Sequence, residues 1–284
     1  MDRTERLRQY LDIIEKKQPQ ADKPFISIVT IYDSANEVQY LSDFIRALPK
    51  VKEGVFELIL CKCVPATGHK PKAKAPEIIN GITVHYVTFP YDKWSFADAR
   101  NVAATAASGE WILSLDTDEI LAESQAIELE NLCRNSPKNV GAYSVVIYSQ
   151  VCDNSTFEAV PVTRLYRNDE RLKYQCAVHE TVMFSMQETE LIYAESNVSL
   201  FHSGYAQSAD VLISKLERNL NLISAEFARY KHSHIKEYMR VHLFNTVFEL
   251  QRFYDEREKE RSAGLTDADR AADYLSHIAA RIAA

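Results

Sequence analysis

Glycine is scarce in this chain, with 7 residues in 284, where average usage near 7% would supply about twenty. None of the seven stands in G-x-G-x-x-G or G-x-x-x-x-G-K-[ST] spacing. The loops that cradle phosphates on backbone N–H groups are therefore missing, and a nucleotide bound here would need another source of positive charge. Long apolar runs are missing too. No stretch of about 18 apolar residues occurs, and the N-terminus, Met-Asp-Arg-Thr-Glu-Arg, lacks the apolar core of a signal peptide. The expectation is a cytoplasmic protein with no transmembrane segment. Cysteine is limited to Cys61, Cys63, Cys133, Cys152 and Cys176, an odd number in a mid-sized chain, which speaks against a disulfide framework. Cys61-x-Cys63 is too tight and isolated for a zinc knuckle. Basic residues are not in excess either: 33 Lys and Arg face 40 Asp and Glu, for a net charge of −7. That balance argues against a non-specific coat for nucleic acid.

What is present is a 46% hydrophobic chain, enough for a sizeable core. Leu7, Leu11 and Ile14 predict a leading helix over 3–17, stopped by Pro19 and Pro24. Apolar, β-branched runs at 25–32, 56–61, 82–89 and 111–115 read as buried strands. Between them lie a helix from Asn36-Glu37 through Leu48, a Pro-, Lys- and Ala-rich loop over 65–77, and an alanine-rich helix over 96–107 with Ser108-Gly109 as its stop. Strands alternating with helices predict a parallel, doubly wound sheet. After about residue 140 the texture changes to strands at 142–151, 162–166, 191–193 and 198–201. Helices follow over 208–230, 233–258 and 266–283. Their apolar stripes are Leu212, Leu216, Leu220 and Ile223, then Met239, Leu243, Val247 and Leu250.

The fourth strand ends abruptly in Asp116-Thr-Asp-Glu119. Open α/β sheets bind ligands at the carboxyl ends of their strands. Strand geometry points residues i and i+2, here Asp116 and Asp118, to the same side. Two carboxylates held together repel unless a cation sits between them, and hard divalent ions take such oxygens together with phosphate oxygens. The segment is thus a device for holding a metal–diphosphate, or else a solvated acidic turn before a helix.

Phe96-Ala-Asp-Ala-Arg-Asn101, followed by Ala107-Ser-Gly-Glu-Trp-Ile-Leu-Ser-Leu-Asp-Thr-Asp-Glu119, closely resembles the family 2 glycosyltransferases. The first strand with Asn36-Glu37 is similar to that family's opening, and Thr163-Arg-Leu-Tyr-Arg-Asn168, Ala177-Val-His-Glu-Thr181 and Leu200-Phe-His-Ser-Gly-Tyr205 to blocks of a bacterial-type branch. The resemblance spans roughly 25–220. It implies the A-type glycosyltransferase fold, a Rossmann-like, mixed and mainly parallel sheet flanked by helices. A catalytic domain over 1–205 would carry a helical C-terminal extension over 206–284 that shapes the acceptor site or a dimer interface.

The resemblance also implies roles. Asp118 would ligate Mn²⁺ or Mg²⁺, with Asp116 as nucleotide contact and further metal contact and Thr117 beside the donor. His202 would complete the metal site, where imidazole suits Mn²⁺ better than Mg²⁺. Glu180 would be the base of an inverting transfer and His179 a positioning residue or alternate base. Lys93, Asp98 and Arg100 would line the donor pocket, and Tyr32 and Asp33 would frame the nucleobase. Lys62 departs from the pattern, standing near the place of an aspartate that reads uracil. A lysine cannot accept the uracil N–H, so UDP is only a default.

Arg164 and Arg167 suit either phosphates or salt bridges, and the basic segment 69–76 suits a solvated loop, a phosphate lid or a polyanion contact. His232, His234 and His242 read as helix-surface histidines. The implied reaction moves a hexose or hexosamine from a nucleotide diphosphate sugar to a hydroxyl on a glycan, lipid-linked sugar, peptide or protein. A phage-type enzyme acting on hydroxymethylated pyrimidines, with nucleic acid as acceptor, is a less favoured alternative. A degenerate, non-enzymatic interaction module is another.

Overall fold

The computed structural model describes residues 23–33, 38–66, 74–150, 157–202, 209–228 and 234–262. The expected helices over 3–17 and 266–283, Asn36-Glu37, most of the basic segment 69–76, Cys152, Gly204 and His232 lie outside these residues. The chain divides into two compact units, Met1–Ala206 and Gln207–Ala284.

The first unit starts with β1 (Ile26–Asp33), α1 (Val38–Ala47), β2 (Phe56–Pro65), the short β3 (Glu77–Ile79), β4 (Ile82–Tyr91), α2 (Phe96–Ala104) and β5 (Trp111–Ser114). β1, β2, β4 and β5 are joined by parallel pairings. All of β1 except Asp33 is buried, as expected of a strand covered on both faces. One core layer holds Ile28, Leu58, Leu60, Val84 and Leu113; the layer on the other face holds Val29, Ile59, Cys61 and Ala99. α2 begins at Ser95, whose side chain accepts the N–H of Asp98 at 3.2 Å, an N-cap of ordinary type.

β6 (Glu119–Ile120), α3 (Glu123–Arg134), β7 (Val140–Gln150), β8 (Phe157–Arg167), α4 (Met183–Met186), β9 (Ile192–Ala194) and β10 (Ser199–His202) complete the unit. The ten-stranded sheet runs β3-β4-β2-β1-β5-β8-β7-β10-β6, with β9 beside β7. It is mixed, because β8 runs antiparallel to both β5 and β7. A wholly parallel winding therefore stops at β5. The mixed sheet, its flanking helices and the helices after it are the expected fold class.

Gly109 has a different role from the expected helix stop, since α2 ends five residues earlier at Ala104. A β-carbon at Gly109 would lie 2.7 Å from the Ser27 nitrogen, so only glycine permits this approach to β1. Its N–H donates to Ser27 Oγ at 2.8 Å, and the neighbouring Ser108 N–H donates to Glu57 Oε1 at 2.6 Å. Glu57 lies inside the sheet at 2% exposure. Burial alone would raise its pKa, but hydrogen bonds from His85, Ser27 and Ser108 outweigh that and hold the carboxyl below its ordinary value. This knot ties β1, β2, β4 and the turn before β5 together.

In the second unit α5 (Ala209–Phe227) packs on α6 (His234–Ser262). Ile213, Ile223, Met239 and Leu250 are buried, whereas Val247 of the expected apolar stripe is 48% exposed. No helix among the described residues is long and apolar enough to cross a membrane.

Candidate active site

β5 ends at Ser114, and the chain then turns back at once. The Glu119 N–H donates to the Asp116 carbonyl at 3.0 Å, and the Glu119 carboxylate accepts the Asp116 N–H at 2.9 Å. Residues 116–119 thus form a closed turn. Strand alternation does not extend through it, so the two aspartates diverge instead of sharing a side. Glu119 next pairs with His202 in the antiparallel β6–β10 ladder. That pairing brings Asp118 to His202, with Oδ2 3.1 Å from Nε2. On its other side His202 Nδ1 lies 3.2 Å from Ser149 Oγ, its register partner on β7. The hydrogen bond to Asp118 raises the His202 pKa above its ordinary value, against the opposing effect of burial.

Asp116 faces the other way. Its Oδ1 accepts from Arg100 Nη2 at 2.7 Å and its Oδ2 from Arg164 Nη2 at 2.6 Å. Burial of the surroundings opposes ionisation, but the two guanidiniums outweigh it and hold the carboxyl far below its usual range. Both Asp116 oxygens are engaged by guanidiniums, whereas Asp118 meets His202. Arg164 reaches Asp116 through a β-bulge, because the β7–β8 register passes from Tyr143–Leu165 to Ser144–Thr163 and leaves Arg164 unmatched. It also donates to Glu119 Oε1 at 2.9 Å. Arg167 points elsewhere, to Glu110 at 2.8 Å and to the Val140 carbonyl at 2.7 Å. Of the two readings open for these arginines, the salt bridges are what the fold uses.

Arg100 is the hub, at 3% exposure. Besides Asp116, its Nη1 donates to Ser114 Oγ at 2.6 Å and its Nε to Glu180 Oε1 at 2.7 Å. The candidate base is thereby joined to the turn that carries the candidate metal ligand. His179, beside it, has its pKa lowered by burial, which favours neutral imidazole.

The remaining expected site residues are Tyr32, Asp33, Lys62, Lys93, Asp98 and Thr117. Tyr32 is 8% exposed, so its ring is packed into the core instead of offered to a stacked base, and burial raises its hydroxyl pKa. Asp33 and Asp98 are half-buried, Lys62 and Lys93 are exposed, and Thr117 is half-buried in the turn. The residues that sequence reasoning missed are Ser149 and Ser114; Glu119 stood in the acidic segment and Asn101 in the Ala-Arg-Asn block, without the partners the fold gives them. Ser149 and Ser114 carry no sequence signal, since one meets His202 of β10 and the other Arg100 of α2 only through the fold. Among the described residues no group of three or more His, Cys, Asp or Glu side chains could hold a metal ion. An ion here would rest on two protein donors and on its ligand.

No family model matches the chain. Over 168 residues, 57% of the chain and 39% of the relative, it is 29% identical to a TPR repeat-containing protein of Synechococcus elongatus. Over 138 residues, 48% of the chain and 32% of the relative, it is 25% identical to the SPbeta prophage-derived glycosyltransferase SunS of Bacillus subtilis. The chain thus spans well under half the length of these curated relatives. Among solved structures it is similar to the mannosyltransferase PcManGT of Pyrobaculum calidifontis in complex with GDP-Man and Mn²⁺, at 13% identity and a TM-score of 0.47 over 98% of this chain and 86% of that one. It is also similar to TarS of S. aureus, at 13% identity and a TM-score of 0.42 over 79% of this chain and 43% of that one.

Proposed function

We propose that the protein is a metal-dependent, inverting glycosyltransferase of the family 2 type. It moves a hexose or hexosamine from a nucleotide diphosphate sugar to a hydroxyl on a glycan, lipid-linked sugar, peptide or protein. The observation that carries this reading is the meeting of Asp118 and His202, 84 positions apart in sequence, at 3.1 Å, in the place where open sheets bind ligands. A carboxylate oxygen and an imidazole nitrogen fit Mn²⁺ or Mg²⁺ and leave positions for diphosphate oxygens. A cation held there supplies charge neutralisation to the diphosphate as it leaves, which accounts for a nucleotide site without a glycine cradle.

The chain's own residues supply the rest. The acceptor oxygen attacks the anomeric carbon from the face opposite the diphosphate, the bond to the diphosphate oxygen breaks, and Glu180 takes the acceptor's proton. Arg100 holds Glu180 by Oε1, which leaves Oε2 to receive that proton. Arg164 and Arg100 fix Asp116, and with it the turn that presents Asp118.

The nucleobase is open at Lys62, and calorimetry with UDP, GDP, CDP and TDP, each with and without Mn²⁺, is the test. Metal-dependent binding of one nucleotide is expected. Binding of none would remove the transferase reading and leave the interaction module. Glu180→Gln should keep that binding and lose transfer; retained transfer would remove Glu180 as base.

A further inference from the structure

We infer that Asn101 is a positioning residue, holding the loop that carries His179 and Glu180 against α2 so that the base meets the donor. The inference rests on the transferase reading above for its catalytic consequence, and on geometry for the rest. Residues 175–181 form a closed loop. Gln175 N–H donates to the Thr181 carbonyl at 3.0 Å and Thr181 N–H to the Gln175 carbonyl at 3.1 Å. Inside it, Cys176 and His179 have left-handed backbones, with φ of 73° and 54°. Neither is glycine, so each carries the steric cost of a β-carbon in that region. Such backbone persists only where the surroundings over-determine it, and here the strained position directly precedes Glu180.

The surroundings come from α2. The Asn101 side chain pairs with Tyr174 as one strand residue pairs with another: Nδ2 donates to the Tyr174 carbonyl at 2.9 Å, and Oδ1 accepts the Tyr174 N–H at 2.8 Å. The Phe96 N–H donates to the Ala177 carbonyl at 2.8 Å. Arg100, the residue before Asn101 on the helix, holds Glu180 and Asp116 with different nitrogens. Two adjacent side chains therefore fix the loop's root and its reactive tip to one rigid element. The donor side and the base side share that element, so a small displacement of the root moves Glu180 relative to the turn at Asp116.

The test compares Asn101→Ala with Asn168→Ala in the full chain. Asn168 is a matched control, since its Nδ2 also bridges backbone carbonyls, those of Ala107 and Gly109 at 3.0 and 2.9 Å, but beside the start of β5. Three readouts are taken: amide hydrogen exchange over 174–181, affinity for the nucleotide that the wild type binds with Mn²⁺, and hydrolysis of the corresponding nucleotide sugar, in which water replaces the acceptor. Asn101→Ala should raise exchange in 174–181, leave nucleotide affinity unchanged and slow hydrolysis about 10- to 100-fold, the scale of a misplaced catalytic group. Asn168→Ala should hydrolyse at the wild-type rate. Unchanged exchange over 174–181 would overturn the inference. So would faster exchange with undiminished hydrolysis, or a loss of nucleotide affinity as large as the loss of rate. If the wild type binds no nucleotide, the transferase reading fails separately, and the exchange profile alone decides whether Asn101 anchors the loop.

Discussion

Asp116 and Asp118 are two residues apart, have side chains of nearly the same exposure, 31% and 32%, and are surrounded by opposite chemistry. Asp116 lies between two guanidiniums that sit deep in the first unit, Arg100 at 3% and Arg164 at 14% side-chain exposure. Asp118 faces one half-buried histidine. The turn at 116–119 separates them: one carboxylate swings toward α2 and β8, the other toward β10. The pair shows that a D-x-D spacing does not assign a role by itself. The first aspartate here compensates buried positive charge, and the second meets a histidine.

The largest expected effect follows from that division. Asp116→Ala strands Arg100 and Arg164 beside fewer counter-charges, and breaking such a buried ion pair should cost about 3 kcal/mol of stability. Asp118→Ala removes a partly exposed carboxylate beside a partly exposed histidine and should cost less, about 0.5 kcal/mol, while removing the metal dependence of nucleotide binding. Denaturant titration of both variants, with calorimetry on the folded protein, checks the two halves. Equal destabilisation by the two substitutions would break the comparison.

Much of this division was illegible in the sequence. The strands β1, β2 and β5 were readable because strands buried on both faces leave apolar runs, and β4 through the apolar Ile82, Val84 and Val87 that it buries. Asp116, Asp118, Glu180 and His202 stood out through ordered blocks. Arg100 and Arg164 stood among the candidates too, but which carboxylate each would meet did not show. Arg164 reaches Asp116 only because a bulge takes it out of register with β7, and a single extra residue in a ladder leaves no mark on composition or periodicity. The divergence of the aspartates depends on the two-residue strand β6, too short to show a period. By contrast, the turn between β3 and β4 is legible: Asn80 and Gly81, with φ of 53° and 84°, are the Asn-Gly pair that favours a tight hairpin.

Glu57 extends the comparison to a carboxylate with no part in the proposed chemistry. Glu57→Gln keeps the shape but removes the charge that Ser27, Ser108, Gly109 and His85 converge on, and should cost about 2 kcal/mol at neutral pH. The folded-state pKa is depressed below the ordinary value of 4.5. The charged carboxyl therefore contributes stability above about pH 4.5, and that contribution is lost as pH falls through the lower folded value. Urea titrations of wild type and variant between pH 7 and pH 3 should show the gap narrowing toward the acid end. A gap that widens there would mean that Glu57 is protonated in the folded protein.

The smallest effect tests the open side of the pair. Ser149 touches His202 at Nδ1 while Asp118 touches it at Nε2. If Nδ1–H donates to the Ser149 hydroxyl, the Nε2 lone pair is left for a cation beside Asp118, and the tautomer is set before the ion arrives. Outer partners of this kind change metal affinity by about 10- to 100-fold, and an uncharged, partly exposed hydroxyl belongs at the lower end. Ser149→Ala should thus weaken Mn²⁺ binding about tenfold, seen by electron paramagnetic resonance of free Mn²⁺ in the presence of nucleotide, with no loss of stability comparable to that of Asp116→Ala. Binding should also tighten as pH rises, because the contact with Asp118 favours the protonated ring and the proton must leave Nε2 before a cation can take its place. Wild-type Mn²⁺ affinity in Ser149→Ala would show that Asp118 alone orients the ring.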